Sequence, residues 1–154
     1  TQILRRAIAV SVAFASAAEI DRFNIRQATF LAMRRAAHAL SLTPRHLLID
    51  GNDPPPGLSI ATTAIVKGDG SVASIAAASI IAKVTRDRLM QGLCTHFPAY
   101  GFSQNAGYAT AAHLAAIAQH GACPYHRLSF APFKLQTFGA SGASDDEARL
   151  KTHN

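Results

Sequence analysis

The sequence predicts an α/β fold, and three observations carry that expectation. Strand-like apolar runs alternate with stretches of helical periodicity along the 154 residues. Half of the chain is hydrophobic (49%) and only 16% is charged, the balance of a packed globular domain. Two of the strand-like runs end on an aspartate followed by glycine, Asp50-Gly51 and Asp69-Gly70, as chains do when they leave a sheet for a turn.

The elements follow in order. Residues 7–15, AIAVSVAFA, alternate β-branched or aromatic residues with small ones and read as a buried strand. Ser16 and Glu19 then stand at capping-box spacing, and Ile20, Phe23, Ala28, Leu31 and Ala32 or Met33 supply a helical apolar stripe to about residue 40. In that setting Glu19 and Asp21 are helix-start residues. HLLID, residues 46–50, is a short strand, and GNDPPPG, residues 51–57, must leave regular structure. SIATTAIV, residues 59–66, is a second strand lying beside the first. A parallel pairing would need an unusually short connection, since such crossovers normally take a dozen residues or more. Ser71 is expected to cap a helix running to about Phe97, and another helix covers residues 110–120. GACPYHRLSFAPFK is irregular, and residues 139–154 read as a flexible tail.

The net charge is +6, but residues 1–140 carry 13 Lys and Arg against 6 Asp and Glu, so that part alone is +7. A basic domain favours polyanionic partners such as nucleic acid. No apolar run reaches membrane-spanning length, and neither a signal peptide nor an initiating Met is present, so a cytoplasmic protein without a membrane partner is expected. Cys94 and Cys123 form no C-x-x-C pair, which fits a reducing compartment and argues against structural zinc.

Few acidic residues lie in the basic region. Glu19 and Asp21 belong to the helix start, Asp53 sits in the proline loop, and Asp87, flanked by Arg86 and Arg88, suits a salt bridge. Asp50 and Asp69 remain, each at a strand end, where open α/β sheets gather ligands. Brought together they would repel unless a hard cation such as Mg²⁺ or Mn²⁺ lay between them. Turn and capping roles are the alternative. Ser79, Lys83 and Arg86, at i, i+4 and i+7, form one polar stripe on an apolar helix. That stripe suits either a phosphate backbone or solvent. The aromatics of YGFSQNAGYAT, residues 100–110, either stack on sugars and bases or pack the loop onto the body. His113, His120 and His126 have no metal-ligand spacing and are read as structural.

LIDGN, VKGDGSVASIAAASIIAKVTRDR, YGFSQNAGYAT and CPYHRLSFAP occur here in the order seen in bacterial ribonuclease HII, and SAAEIDRFNIRQATFLAMRRA resembles a helix of that family. The resemblance runs from residue 7 to about 134. It implies a ribonuclease H-like fold, with a central mixed sheet flanked by helices and a helical carboxy-terminal part. Residues 1–138 would be a partial catalytic domain. It also implies an endoribonuclease that hydrolyses the phosphodiester 5′ of ribonucleotides, in RNA–DNA hybrids and in DNA containing single ribonucleotides, by a two-metal mechanism. Such an enzyme removes misincorporated ribonucleotides and works as a monomer when full length.

Residue by residue, the resemblance makes Asp50 and Asp69 catalytic metal ligands for Mg²⁺ or Mn²⁺. Tyr108 becomes the residue that stacks on the sugar at the RNA–DNA junction, with Ser79, Lys83 and Arg86 facing the nucleic-acid backbone. The family opens, however, with a strand ending Asp-Glu-Ala-Gly-Arg-Gly, which supplies two further ligands and reads the ribose 2′-hydroxyl. Residues 1–15 contain nothing like it, and SDDEARL at 144–150 lacks the glycines. The chain is therefore expected to be an amino-terminally truncated member lacking the first strands. A non-catalytic nucleic-acid-binding remnant is the alternative, and the ribonuclease HIII branch a narrower one.

Overall fold

In the computed structural model, residues 2–134 are described. The expected tail at 139–154, SDDEARL included, lies outside them. The order is helix α1 (Gln2–Arg6), α2 (Ala17–His38), strands β1 (His46–Asp50) and β2 (Ala61–Ile65), a 3₁₀ turn at Gly68–Gly70, α3 (Ala73–His96), a 3₁₀ turn at Pro98–Tyr100, α4 (Phe102–Asn105) and α5 (Ala111–His120). The α/β class holds.

Residues 7–15 are not a strand: the chain bends at Ile8 and the rest of the run lies outside helix and sheet. A strand needs a neighbour to take its backbone groups, and none of the described residues pairs with this run. Instead α2 takes it up: the Ser11 hydroxyl donates to the Ala36 carbonyl (2.5 Å), and Arg35 Nη1 donates to that of Phe14 (2.9 Å). Alternation survives nonetheless, since Ala9, Ser11, Ala13 and Ala15 are half-buried while Val10, Val12 and Phe14 face outward.

At the start of α2 the capping box forms as the sequence predicts. Glu19 N–H donates to Ser16 Oγ (3.2 Å), and Ser16 N–H donates to Glu19 Oε2 (2.8 Å). The helix is not continuous. Asn24 has φ 68° and ψ 165°, and its Oδ1 accepts from Gln27 N–H (3.1 Å), capping a second segment. Glu19 and Arg35 would stand about 24 Å apart on a straight helix, yet their side chains meet at 2.6 Å. The chain therefore folds back at Asn24. Arg35 first, then the Ser16 N–H, holds the Glu19 carboxyl down at about 2.

β1 and β2 pair in parallel, His46 opposite Ala61 through to Asp50 opposite Ile65. The connection at residues 51–60 is short for a parallel crossover, and α2 secures it. Arg26 pairs with Asp53 (2.5 Å), and Arg34 Nη1 donates to the Pro56 carbonyl (3.2 Å). Of the expected mixed sheet, the described residues contain this one pair.

Ser71 does not cap α3. The 3₁₀ turn takes it up, its N–H donating to Gly68 O (3.1 Å) and its hydroxyl lying 3.4 Å from Lys67 O, so extended Val72 becomes the cap residue. The core lies in the helical half. Leu93, Tyr100, Phe102, Ile117 and Cys123 form its buried cluster, with Met90, Phe97 and Phe133 packed against it.

Candidate functional site

Asp50 is the last residue of β1, and Asp69 follows β2 by four positions. The parallel register brings both to the same sheet end, where Gly51, at φ 126°, turns the chain away while its N–H still donates to Ile65 O (3.1 Å). One hydrogen bond ties Asp50 to the turn that bears Asp69. Asp50 Oδ1 accepts from the N–H of Gly68, Asp69's immediate neighbour, at 2.8 Å. Gly68 is closely packed: an added Cβ would sit 2.6 Å from Ile75 Cδ1, the end of a side chain that would have to shift, and 3.3 Å from Ile65 Cβ. The turn bearing Asp69 is thus wedged between β2 and α3. Lys67, left-handed at φ 53°, completes it.

Both carboxylates are exposed. Asp50 has one oxygen engaged, leaving Oδ2 and the Asp69 carboxylate as hard donors at one sheet end. That donor set fits part of the shell of Mg²⁺ or Mn²⁺. Two groups do not close such a shell, and among the described residues no cluster of three or more His, Cys, Asp or Glu side chains could hold a metal.

The helical stripe divides. Ser79 and Lys83 are exposed, and Lys83 Nζ lies 3.3 Å from Asp87 Oδ2, an i,i+4 pair in open solvent worth little. Asp87 thus takes its salt bridge from Lys83 and not from the flanking arginines. Arg86 turns inward: Nη2 donates to the Ala106 carbonyl (2.7 Å), and the guanidinium lies 5.2 Å from the Tyr108 ring centroid.

The aromatic loop divides too. Tyr100 and Phe102 belong to the core, stacked at 5.6 Å, whereas Tyr108 is 63% exposed. Asn105, which sequence reasoning passed over, organises the bend. Its Nδ2 donates to Tyr100 O (2.6 Å), its Oδ1 accepts from Gly107 N–H (2.8 Å), and its carbonyl accepts from Tyr108 N–H (2.8 Å). The available signal was an Asn two residues before a glycine, a turn-forming pattern. His113 is structural as expected, Nδ1 bonded to Tyr100 O at 3.0 Å, and so is His126, whose Nδ1 accepts from Cys123 N–H (2.9 Å). Asp21 does more than start a helix. It accepts from Leu128 N–H, Ser129 N–H and the Ser129 hydroxyl, tying α2 to the carboxy-terminal segment. A groove of about 540 Å³ along α2, lined by Arg22, Phe23, Arg34 and Arg35 among others, includes neither Asp50 nor Asp69.

A family model described as ribonuclease HII matches residues 2–133. Ribonuclease HII of Jannaschia sp. is 59% identical over 131 residues, covering 85% of this chain and 65% of the relative. Ribonuclease HII 1 of Methylibium petroleiphilum is 58% identical over 132 residues, covering 86% of this chain and 66% of the relative. The chain thus spans just under two thirds of these relatives' length. The crystal structure of ribonuclease H2 from Pyrococcus horikoshii OT3 superposes with a TM-score of 0.64 at 22% identity, over 82% of this chain and 67% of that one. That likeness concerns the fold alone. No described helix is long and apolar enough to cross a membrane. On the match over nearly all its described length, the chain belongs to the ribonuclease HII family.

Proposed function

We propose that the chain is the larger part of a divalent-cation-dependent endoribonuclease. Its reaction is hydrolysis of the phosphodiester 5′ of ribonucleotides in RNA–DNA hybrids and in DNA containing single ribonucleotides. The observation that carries this reading is the Asp50–Gly68 hydrogen bond, which ties two strand-end carboxylates to one turn in a chain of this family. Asp50 and Asp69 would hold Mg²⁺ or Mn²⁺ together with the Asp and Glu of the family's Asp-Glu-Ala-Gly-Arg-Gly strand, which residues 1–154 do not contain. Cations bound there supply, by a two-metal mechanism, activation of water and stabilisation of charge on the leaving oxygen. Lys83 and Ser79 meet the phosphate backbone, and the exposed ring of Tyr108 offers a stacking face to the sugar at the junction. The setting is cytoplasmic removal of misincorporated ribonucleotides, by a monomer.

One observation favours a second reading, a non-catalytic nucleic-acid-binding protein: the described residues gather only two carboxylates at the sheet end. The test joins the chain to a strand bearing Asp-Glu-Ala-Gly-Arg-Gly and assays nicking of a duplex with one ribonucleotide. Mg²⁺- or Mn²⁺-dependent nicking supports the enzyme. Salt-sensitive binding without nicking supports the second reading.

A further inference from the structure

The loop that presents Tyr108 is an improbable piece of backbone. Ala106 is left-handed at φ 49°, a conformation that a side chain with a Cβ resists, and Gly107 follows at φ 77°. Two successive left-handed residues turn the chain sharply between α4 and α5 and leave Tyr108 outside. Asn105 secures the inner side of this bend from the core, with less than a tenth of its surface exposed. From α3, Arg86 acts on the bend twice. Its Nη2 bonds the carbonyl of the strained Ala106, and the same planar guanidinium lies within cation–π distance of the Tyr108 ring. A guanidinium donates in its plane while offering a face to an aromatic, and an ammonium cannot reproduce both contacts.

We propose that Arg86 is a positioning residue: it spans α3 and the 106–108 bend, fixing the direction in which the Tyr108 ring is presented, and does not itself meet a phosphate. This rests on the reading of Tyr108 as the residue that meets the sugar. It separates Arg86 from Lys83, three residues earlier on α3 and 75% exposed at its side chain. Lys83, held only by an exposed i,i+4 pair with Asp87, can follow a phosphate, whereas Arg86 is committed to the protein.

Two measurements on the 154-residue chain test it, with Arg86→Ala and Arg86→Lys. The first is hydrogen exchange at Gly107 and Tyr108, whose N–H groups are held by Asn105. Exchange there should quicken on the order of tenfold in both variants, the scale of one lost charged hydrogen bond, while β1 and β2 keep their protection. Unchanged exchange at these amides overturns the proposal. The second is affinity for a duplex containing one ribonucleotide, across a salt series. A positioning role predicts an unchanged salt slope, equal losses for Lys and Ala, and no further loss when Arg86→Ala is added to Tyr108→Ala. A phosphate contact predicts a slope lower by about one unit in Arg86→Ala and retention by Arg86→Lys; that result also overturns it. Should the parent show no preference for the ribonucleotide, the functional reading of Tyr108 fails, while the exchange result still decides whether Arg86 holds the loop.

Discussion

Asp50 and Asp69 are exposed side chains, and the amide of Gly68, the residue before Asp69, donates to Asp50. Asp50→Asn and Asp69→Asn should each abolish cleavage in the completed enzyme while duplex binding changes less than threefold or so, because an amide keeps the shape but loses the charge that a cation needs. Cleavage within tenfold of the parent at saturating Mg²⁺ would remove that residue from the site. Gly68→Ala should act on the same site through packing. Its methyl would strike Ile75 and crowd Ile65, costing about 1–3 kcal/mol, read from urea unfolding. An unchanged midpoint would show that the turn is not wedged. Tyr108→Ala removes one stacking face and should cost about 1–3 kcal/mol, or roughly ten- to a hundredfold in catalytic efficiency. Lys83→Ala should lower affinity for duplexes with and without a ribonucleotide alike and reduce the salt slope by about one unit. The strand-end carboxylates were legible because aspartate before glycine is a local signal. Arg86's partners were not, since a helical stripe fixes a direction but not what lies there.

Elements show the same division between local and distant information. The Ser16–Glu19 capping box, the two strands of the sheet and helix α5 rest on neighbours in sequence, and each formed where expected. The break at Asn24 was not legible, because an asparagine inside a periodic apolar pattern reads as helix; the cross-helix pair of Glu19 and Arg35 reveals it. Residues 7–15 carry a strand's alternation, but pairing is a property of two segments. The clasp between α2 and the carboxy-terminal segment lies furthest from local reading, as Asp21 and Ser129 are remote in sequence. It should be acid-sensitive. Burial, then the nearby His113, pushes the His126 imidazole below 6.5, and Cys123 N–H requires its Nδ1 unprotonated. Tyr100, stacked edge-on at 4.9 Å, and Phe102 and Phe133 offer no counter-charge, and Arg127 beside it adds another positive one. A histidine with a lowered folded value contributes stability that is full above the unfolded value and is lost as pH falls below about 6.5. Asp21 is held low against the cost of its burial by Ser129, Leu128 and Arg127, so its contribution is lost further down, below about 4. Unfolding midpoints should therefore drop between pH 7.5 and 5.5, and His126→Gln should flatten that drop. Equal midpoints in the parent at both pH values would contradict the role given to neutral His126.

Across the described residues, the buried apolar cluster and the candidate site occupy different halves. Leu93, Tyr100, Phe102 and Ile117 anchor the helical part, while Asp50 and Asp69 sit on a two-stranded sheet held mainly by its neighbours. The family was legible from residues 66–88 because that run encodes turn, wedge and helix start together. The rest of a cation shell was not, because among the described residues no cluster of three or more His, Cys, Asp or Glu side chains could hold a metal. The central claim is that Asp50 and Asp69 are half of a cation site that cuts beside a ribonucleotide. Its most direct test is Mg²⁺- and Mn²⁺-dependent nicking of a duplex with a single ribonucleotide. The 154-residue chain, the same chain joined to an Asp-Glu-Ala-Gly-Arg-Gly strand, and the joined chain carrying Asp69→Asn should be assayed side by side. Binding without nicking is expected of the first, nicking 5′ of the ribonucleotide of the second and no nicking of the third. Nicking by the first or the third, or none by the second when it is folded and binds the duplex, would contradict the central claim.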